Sequence, residues 1–327
     1  MAHLLVTGGA GFIGSNLVDA LLAEGDRVTV LDDLSTGKRR NLAHLEGEPR
    51  FRFVEGPILD APLVERLVAE VDGVYHLAAV VGVKYVLADP LRGMQVNLRG
   101  TEHILEAASR HGCKVLIASS SEVFGKSVAV PFDEEDDTVL GPTRVPRWSY
   151  ALTKLLDEHL ALAYHRQRGL PTVVVRYFNA YGPRIDPRGY GSVVAHFLGQ
   201  ALSGRPLTVY GDGQQTRAFT FVGDTVRGTM AAMETDAAVG EVFNIGNGQE
   251  WTVEALAELV RELIPQAGPI RHIPFEEVYG PDFEETRRRA PATGRAERVL
   301  GFRAQVPLEE GLRRTIPWFK EHLDELI

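Results

Sequence analysis

The chain has 327 residues, 44% of them hydrophobic and 24% charged, with a formal net charge of −9. That is enough apolar material for one large domain or two modest ones, and the acidic balance argues against a nucleic-acid or membrane-surface partner, since both want a basic face. A single cysteine excludes an internal disulfide, no apolar run approaches membrane-spanning length, and the N-terminus enters a strand without a signal peptide, so a cytoplasmic protein is expected.

Two periods alternate from the start. "HLLVTG" (3–8) is a short apolar run of the kind that forms a buried parallel strand. It leads into "VTGGAGFIG" (6–14), which sets Gly8, Gly11 and Gly14 between that strand and a helix expected over 12–25. The first glycine permits a tight turn, the second lets a pyrophosphate approach the backbone, and the third lets helix and strand pack closely. The anion then meets the amides of a helix N-terminus. "RVTVLDD" (27–33) is the next strand and ends in Asp32 and Asp33. A carboxylate there accepts hydrogen bonds from both ribose hydroxyls and repels a 2′-phosphate, so NAD is expected over NADP.

Further strands are expected over 50–56, 73–79, 114–120 and 171–179, with helices over 61–71, 94–112 and 149–169. The helix over 94–112 ends at a glycine suited to a C-cap. Cys113 opens the apolar "CKVLIAS" and reads as a buried strand-start residue, not a nucleophile. Strand–helix alternation of this kind means a doubly wound α/β parallel sheet with helices on both faces. Residues 131–147 form an acidic, Pro-rich loop, solvated in its acidic half, whose basic end borders the site just before Tyr150. After residue 180 the pattern is less regular. "LTVYG", "AFTFV" and "EVFNIG" alternate with shorter helices and Gly/Pro-rich loops, which suggests a smaller lobe packed against the sheet. The expected division is a dinucleotide-binding domain over 1–180 and a mainly substrate-binding α/β lobe over 181–327, with some chain crossing back to the sheet.

The fifth strand ends in "SSSEVFG" (119–125), and parallel strands deliver their C-terminal ends to the cofactor crevice. Ser119, Ser120, Ser121 and Glu122 therefore emerge there. Tyr150 and Lys154 follow, one turn apart on one face of a helix. A tyrosine with an ordinary pKa near 10 is a poor base at neutral pH. An ammonium one turn away, together with the positive nicotinamide ring, favours the phenolate. A serine hydroxyl can hydrogen-bond the same substrate oxygen, so the group can take a proton from a sugar or alcohol hydroxyl while a hydride leaves its carbon.

These residues in this order resemble the extended short-chain dehydrogenase/reductase family, in particular its nucleotide-sugar epimerases, dehydratases and decarboxylases. The resemblance runs through "GGAGFIG", "LDDLSTGKRRNL", "YHLAA", "VNLRGTEHILEAA", "SSSEVFG", "YALTK", "RYFNAYGPR", "LTVYGDGQQTR" and "FNIGN", nearly the whole chain. It implies a Rossmann domain holding NAD through Gly8, Gly11, Phe12, Ile13, Gly14, Asp32, Asp33, Leu77, Ala78, Ala79, Asn97, Tyr150, Lys154 and Tyr177. It implies Ser120 as the active-site hydroxyl and Tyr150 as the acid/base. Lys154 would hold the nicotinamide ribose and lower the tyrosine's pKa. A UDP-sugar would meet Ser121, Asn179, Arg184, Val209, Tyr210, Arg217 and Arg289. Arg217 would take the diphosphate, where a guanidinium fork suits phosphate oxygens, and "PLTVYG" would lie against the base. No metal is implied. Pro57 departs from the acidic residue that usually holds adenine, which leaves backbone groups or Asp60 for that task. Ala218 and Gly223 also stand where acidic residues are frequent. In the family, helices such as 94–112 and 149–169 pair across a homodimer.

The first step common to the group is oxidation of a hexose at C4. Dehydratases typically carry Asp-Glu after the active-site hydroxyl, and here the pair is Ser121-Glu122, so dehydration is disfavoured. Ser-Glu, and "YGPDFEETRRRAP" (279–291) with Arg289, resemble UDP-glucuronate decarboxylases. Glu122 itself reads equally as a chemical group or as a carboxylate capping the next turn. Because 4-epimerisation is the most frequent activity of the group, the expectation is an isomerase, a UDP-glucose/UDP-galactose-type 4-epimerase. UDP-glucuronate decarboxylation is second, 4,6-dehydration third, and a silent NAD-binding sensor is the non-enzyme alternative.

Overall fold

A computed structural model describes residues 1–82, 88–187, 192–280 and 286–326. Six strands come in the order expected: β1 (His3–Thr7), β2 (Arg27–Asp32), β3 (Phe51–Glu55), β4 (Gly73–His76), β5 (Lys114–Ser120) and β6 (Thr172–Tyr177). Four helices fall between them: α1 (Phe12–Ala23), α2 (Ala61–Val68), α3 (Pro90–His111) and α4 (Trp148–Arg168). The sheet has seven strands, all parallel, in the order Val242–Ile245, β6, β5, β4, β1, β2, β3.

Alternation within each strand sends neighbouring side chains to opposite faces. Leu4, Val6, Val173 and Val175 join Leu17 and Leu21 of α1 and Val226 of the Val222–Glu234 helix on one face. Leu5 and Val174 join Val64 of α2, Ile104 of α3 and Ala161 of α4 on the other. Burying each such side chain contributes roughly 1.5–3 kcal/mol. Register therefore fixes which end of each strand opens toward the site.

Two expectations shift. Helix α3 begins at Pro90 instead of residue 94, because Asp89 caps it, accepting a hydrogen bond from Arg92 N at 3.0 Å, and proline suits the first turn. "EVFNIG" does not belong to the smaller lobe. Its Val242–Ile245 strand pairs with β6, Ile245 beside Tyr177, and closes that edge of the main sheet.

The smaller lobe has its own core, in which Phe197 and Leu198 of Val193–Leu202 meet Leu256 and Val260 of Val253–Leu263 and Phe319 of Leu308–Glu321. The loop over 131–147 is tied down at its start. Phe132 N donates to Ala290 O at 2.8 Å, and Phe132 O accepts from Ala292 N at 2.8 Å and Asn244 Nδ2 at 2.9 Å. Among the described residues no helix is long and apolar enough to cross a membrane.

Candidate active site

The C-terminal ends of β1, β2, β4, β5 and β6 open into a cavity of about 1260 Å³ that reaches across to the smaller lobe. Its floor is the glycine turn. Gly8 has a φ of +71°, and a Cβ there would stand 2.8 Å from Ala78 N. A Cβ on Gly14 would collide with Gly8 O. Gly11 is the N-cap of α1 and brings no side chain to its amides. The result is a bare, amide-rich cradle at a helix N-terminus, which fits a pyrophosphate. Asp32 lines the adjoining wall, its carboxylate held by Ala10 N at 2.9 Å and Leu34 N at 2.8 Å. Burial raises the Asp32 carboxyl and these amides oppose the rise. The cradle and the carboxylate together fit a dinucleotide.

Beyond the cradle, β5 delivers the serines. Ser120 Oγ accepts from Glu122 N at 3.2 Å and hydrogen-bonds the Tyr150 phenol. Ser120 and Tyr177 are register partners across β5 and β6, so both face the cavity mouth. Glu122 follows in a short 3-10 turn, Ser121–Phe124. Its Oε1 accepts from Arg289 Nη1 at 2.5 Å, and Oε2 lies 3.7 Å from Arg147 Nη2. Burial would raise the Glu122 carboxyl, but Arg289, then Arg147 and Arg217, outweigh it and hold the group below its ordinary value. Glu122 is thus a carboxylate gripped by two buried guanidiniums inside the cavity.

The cavity brings together Gly8, Gly11, Phe12, Ile13, Gly14, Asp32, Asp33, Leu77, Ala78, Ala79, Ser120, Ser121, Glu122, Tyr150, Lys154, Tyr177, Asn179, Tyr210, Arg217 and Arg289. Three expected residues lie elsewhere. Asn97 is buried behind the wall, where it accepts from Val80 N at 2.7 Å and donates to Thr153 Oγ1 at 3.1 Å. Arg184, at a positive φ of 74°, pairs with Asp19 of α1 at 2.7 Å. Val209 is fully buried in the smaller core; the alternation of its strand puts Tyr210, not Val209, at the cavity. Asp60 caps α2 through Leu63 N at 3.0 Å and does not line the cavity, which leaves backbone and apolar groups such as Gly56 and Ile58 at the place where Pro57 departs. Cys113 is buried, its thiol donating to Val71 O at 3.0 Å. Residues 281–285 of "YGPDFEETRRRAP" lie outside the described residues.

Burial and then the Glu122 carboxylate raise the Tyr150 phenol, the Ser120 hydrogen bond opposes them, and Asp157 adds to the rise. The chain's own groups thus raise the Tyr150 phenol above its ordinary value. Lys154, which lines the same cavity, pairs with buried Asp157 Oδ2 at 3.1 Å. Asp157 was not singled out in the sequence, since three-residue spacing from a lysine is ordinary on helices. Arg147 was implied only as the basic end of the acidic loop. Its position one helical turn before Tyr150 was the signal available.

The NAD dependent epimerase/dehydratase family model matches residues 4–246. The UDP-N-acetyl-alpha-D-glucosaminuronate decarboxylase of Bacillus cytotoxicus is 43% identical over 97% of this chain and 97% of that protein. UDP-glucuronic acid decarboxylase 1 of Xenopus tropicalis is 38% identical over 98% of this chain and 73% of its own. A solved UDP-glucose 4-epimerase of Thermotoga maritima, with UDP-glucose, superposes with a TM-score of 0.88 at 34% identity, covering 98% and 99% of the two chains. These findings overturn the expected isomerase. The relatives that match at 38–43% identity across this chain are named decarboxylases, and frequency within a family is a weaker guide than likeness along a whole chain.

Proposed function

The chain belongs to the NAD dependent epimerase/dehydratase family, and from that premise we propose that it decarboxylates a UDP-linked hexuronate, a lyase-type reaction. The observation that carries the reading is the pair of buried guanidiniums, Arg289 and Arg147, converging on Glu122 at the end of β5. A neutral hexose gives such cations nothing to bind. A hexuronate brings a carboxylate on C5, and planar guanidiniums recognise carboxylates well. The decarboxylase names of the relatives support the same choice.

The glycine turn with Asp32 would hold NAD, which supplies the hydride acceptor for C4 of the sugar and returns the hydride later. Tyr150 takes the proton of the C4 hydroxyl as the carbonyl forms, and Ser120 steadies that oxygen by a hydrogen bond. The sugar is then a β-keto acid. Its C5–carboxylate bond breaks, carbon dioxide leaves, and the electron pair moves into a C4–C5 enolate. Hydrogen bonds from Ser120 and Tyr150 stabilise the oxygen of that enolate. Arg289 and Arg147 hold the carboxylate until it departs, and Glu122 keeps the two guanidiniums in place. A proton returns to C5 to give a 4-keto pentose or, after hydride return, the UDP-pentose. Arg217 and Tyr210 would meet the diphosphate and nucleotide.

Incubation with NAD and either UDP-glucuronate or UDP-N-acetylglucosaminuronate tests this. A product lighter by one carbon dioxide is expected from at least one of them. Recovery of both uronates unchanged, with turnover of a neutral UDP-hexose, would overturn it. The reading extends to a homodimer through α3 and α4, supported by Leu91, Leu152 and Leu156, which leave 61%, 51% and 39% of their surface exposed on those helices. It also extends to a cytoplasmic location, which unpaired, buried Cys113 suits.

A further inference from the structure

Lys154 and Asp157 form an ion pair with almost no access to water, their side chains 3% and 0% exposed, at 3.1 Å. Two charges are rarely buried unless they neutralise each other. Asp157 Oδ1 has no hydrogen-bond partner among the described residues, and the carboxyl's other contacts are the Lys154 ammonium and the Thr101 hydroxyl. Its strongest opposite charge is Lys154, which the relay needs beside Tyr150. We propose that Asp157 is a positioning residue of the proton relay: it draws the Lys154 ammonium off Tyr150 and so fixes the pH at which the phenol becomes a base.

Several groups face Asp157. From α4 itself, Lys154 and Glu158 face it. From α3, Thr101 stands against its carboxyl. Behind Thr101, His76 of β4 bridges Thr101 Oγ1 at 3.1 Å and Thr7 Oγ1 at 2.8 Å, and burial keeps it neutral. Tyr150 itself also meets Ser120, whose hydrogen bond lowers it, and Glu122, which raises it while paired with Arg289 and Arg147. Removing the Asp157 charge takes away one carboxylate that raises the phenol and leaves the Lys154 ammonium, one helical turn from Tyr150, without its partner; both changes favour the phenolate.

The inference goes beyond the decarboxylase reading and does not depend on it, because the phenol can be read without sugar. Full-length protein with NAD is titrated by ultraviolet difference absorbance, each variant against the same variant carrying Tyr150→Phe. Asp157→Asn is expected to lower the Tyr150 transition by about one pH unit or more, and to move the acid limb of kcat/KM the same way. Asp157→Glu, which keeps the charge, is expected to leave both near the parent. An Asn variant whose transition stays or rises, or a Glu variant that shifts as far as Asn, would overturn the assignment. If Asp157→Asn does not fold, Asp157→Ser carries the same expectation. Failure of both uncharged variants to fold, with Asp157→Glu folding normally, would mean the carboxylate serves folding and would overturn it as well.

Discussion

Glu122 Oε1 accepts a hydrogen bond from Arg289 Nη1 at 2.5 Å, although the two residues lie 167 positions apart in the chain. The fold makes this contact by running residues 289–292 along Phe132, so the C-terminal half reaches over the end of β5. Removing the arginine strands a carboxylate that the fold has largely withdrawn from water. Arg289→Ala should lose a charge-assisted hydrogen bond of roughly 1.5–3 kcal/mol. That is a loss of about ten- to a hundredfold in kcat/KM on the hexuronate. Steady-state kinetics reads it, with cofactor affinity by calorimetry expected to stay at the parent value. A variant as fast as the parent would remove Arg289 from the site.

Tyr150→Phe keeps the ring and its packing but deletes the group that takes the C4 proton. Turnover should fall by roughly 10²–10⁴-fold, the usual worth of a positioned acid/base, while NAD remains bound. Retention of near-parent rates would refute the relay.

His76 gives a stability signature of definite sign. Burial first, then the Lys154 charge, pulls it from 6.5 down to about 3. Between those values the unfolded chain binds a proton that the folded chain refuses. The associated stability is fully present above the ordinary histidine value and is lost as pH falls toward the folded one, by up to about 1.4 kcal/mol per pH unit. His76→Asn should therefore unfold at a lower temperature at neutral pH yet lose less of its stability on acidification. Parallel melting curves for the two proteins from neutral to acid pH would count against this account.

Gly14 is the tightest point of the cradle, where an added Cβ meets Gly8 O, a backbone atom that cannot swing aside. Gly14→Ala should displace the turn, weaken NAD binding beyond detection and lower the melting temperature. Alanine at Gly112, a C-cap with open space around it but a φ of +73°, should cost stability alone. Titration of both variants with NAD separates the two effects.

The dimer reading is tested on α4. Leu156→Glu places a charge on a half-exposed position without entering the core. Light scattering after size exclusion should show a dimer for the parent and a monomer for the variant. A monomeric parent would dispose of the interface.

Most of the cofactor end was legible because it is written locally. The strand, glycines, helix and Asp32 are consecutive, and each demands its residue type for a backbone reason. That Tyr150, Ser120 and Lys154 line one cavity was legible for the same reason, since they lie near the ends of one strand and one helix. What failed was non-local. The Val242–Ile245 strand is four residues long, and nothing in it says which sheet edge it will join. Arg184 matched a motif, but at its positive φ it pairs with Asp19. Val209 and Tyr210 are neighbours in one motif, and the two-residue period of a strand separates them. Arg147 and Arg289 meet at Glu122 only after distant segments pack, so no local stretch of sequence announces their cluster.

The lacing of Phe132 to Ala290 and Ala292 has a consequence for the order of biosynthesis. A ribosome releases the serine and tyrosine of the relay long before it releases Arg289. Half-made chains can settle much of the central sheet, yet the anion grip must wait until residue 289 has left the ribosome. A nascent molecule stalled before that point would own a cradle for its dinucleotide and no means of holding an acid sugar.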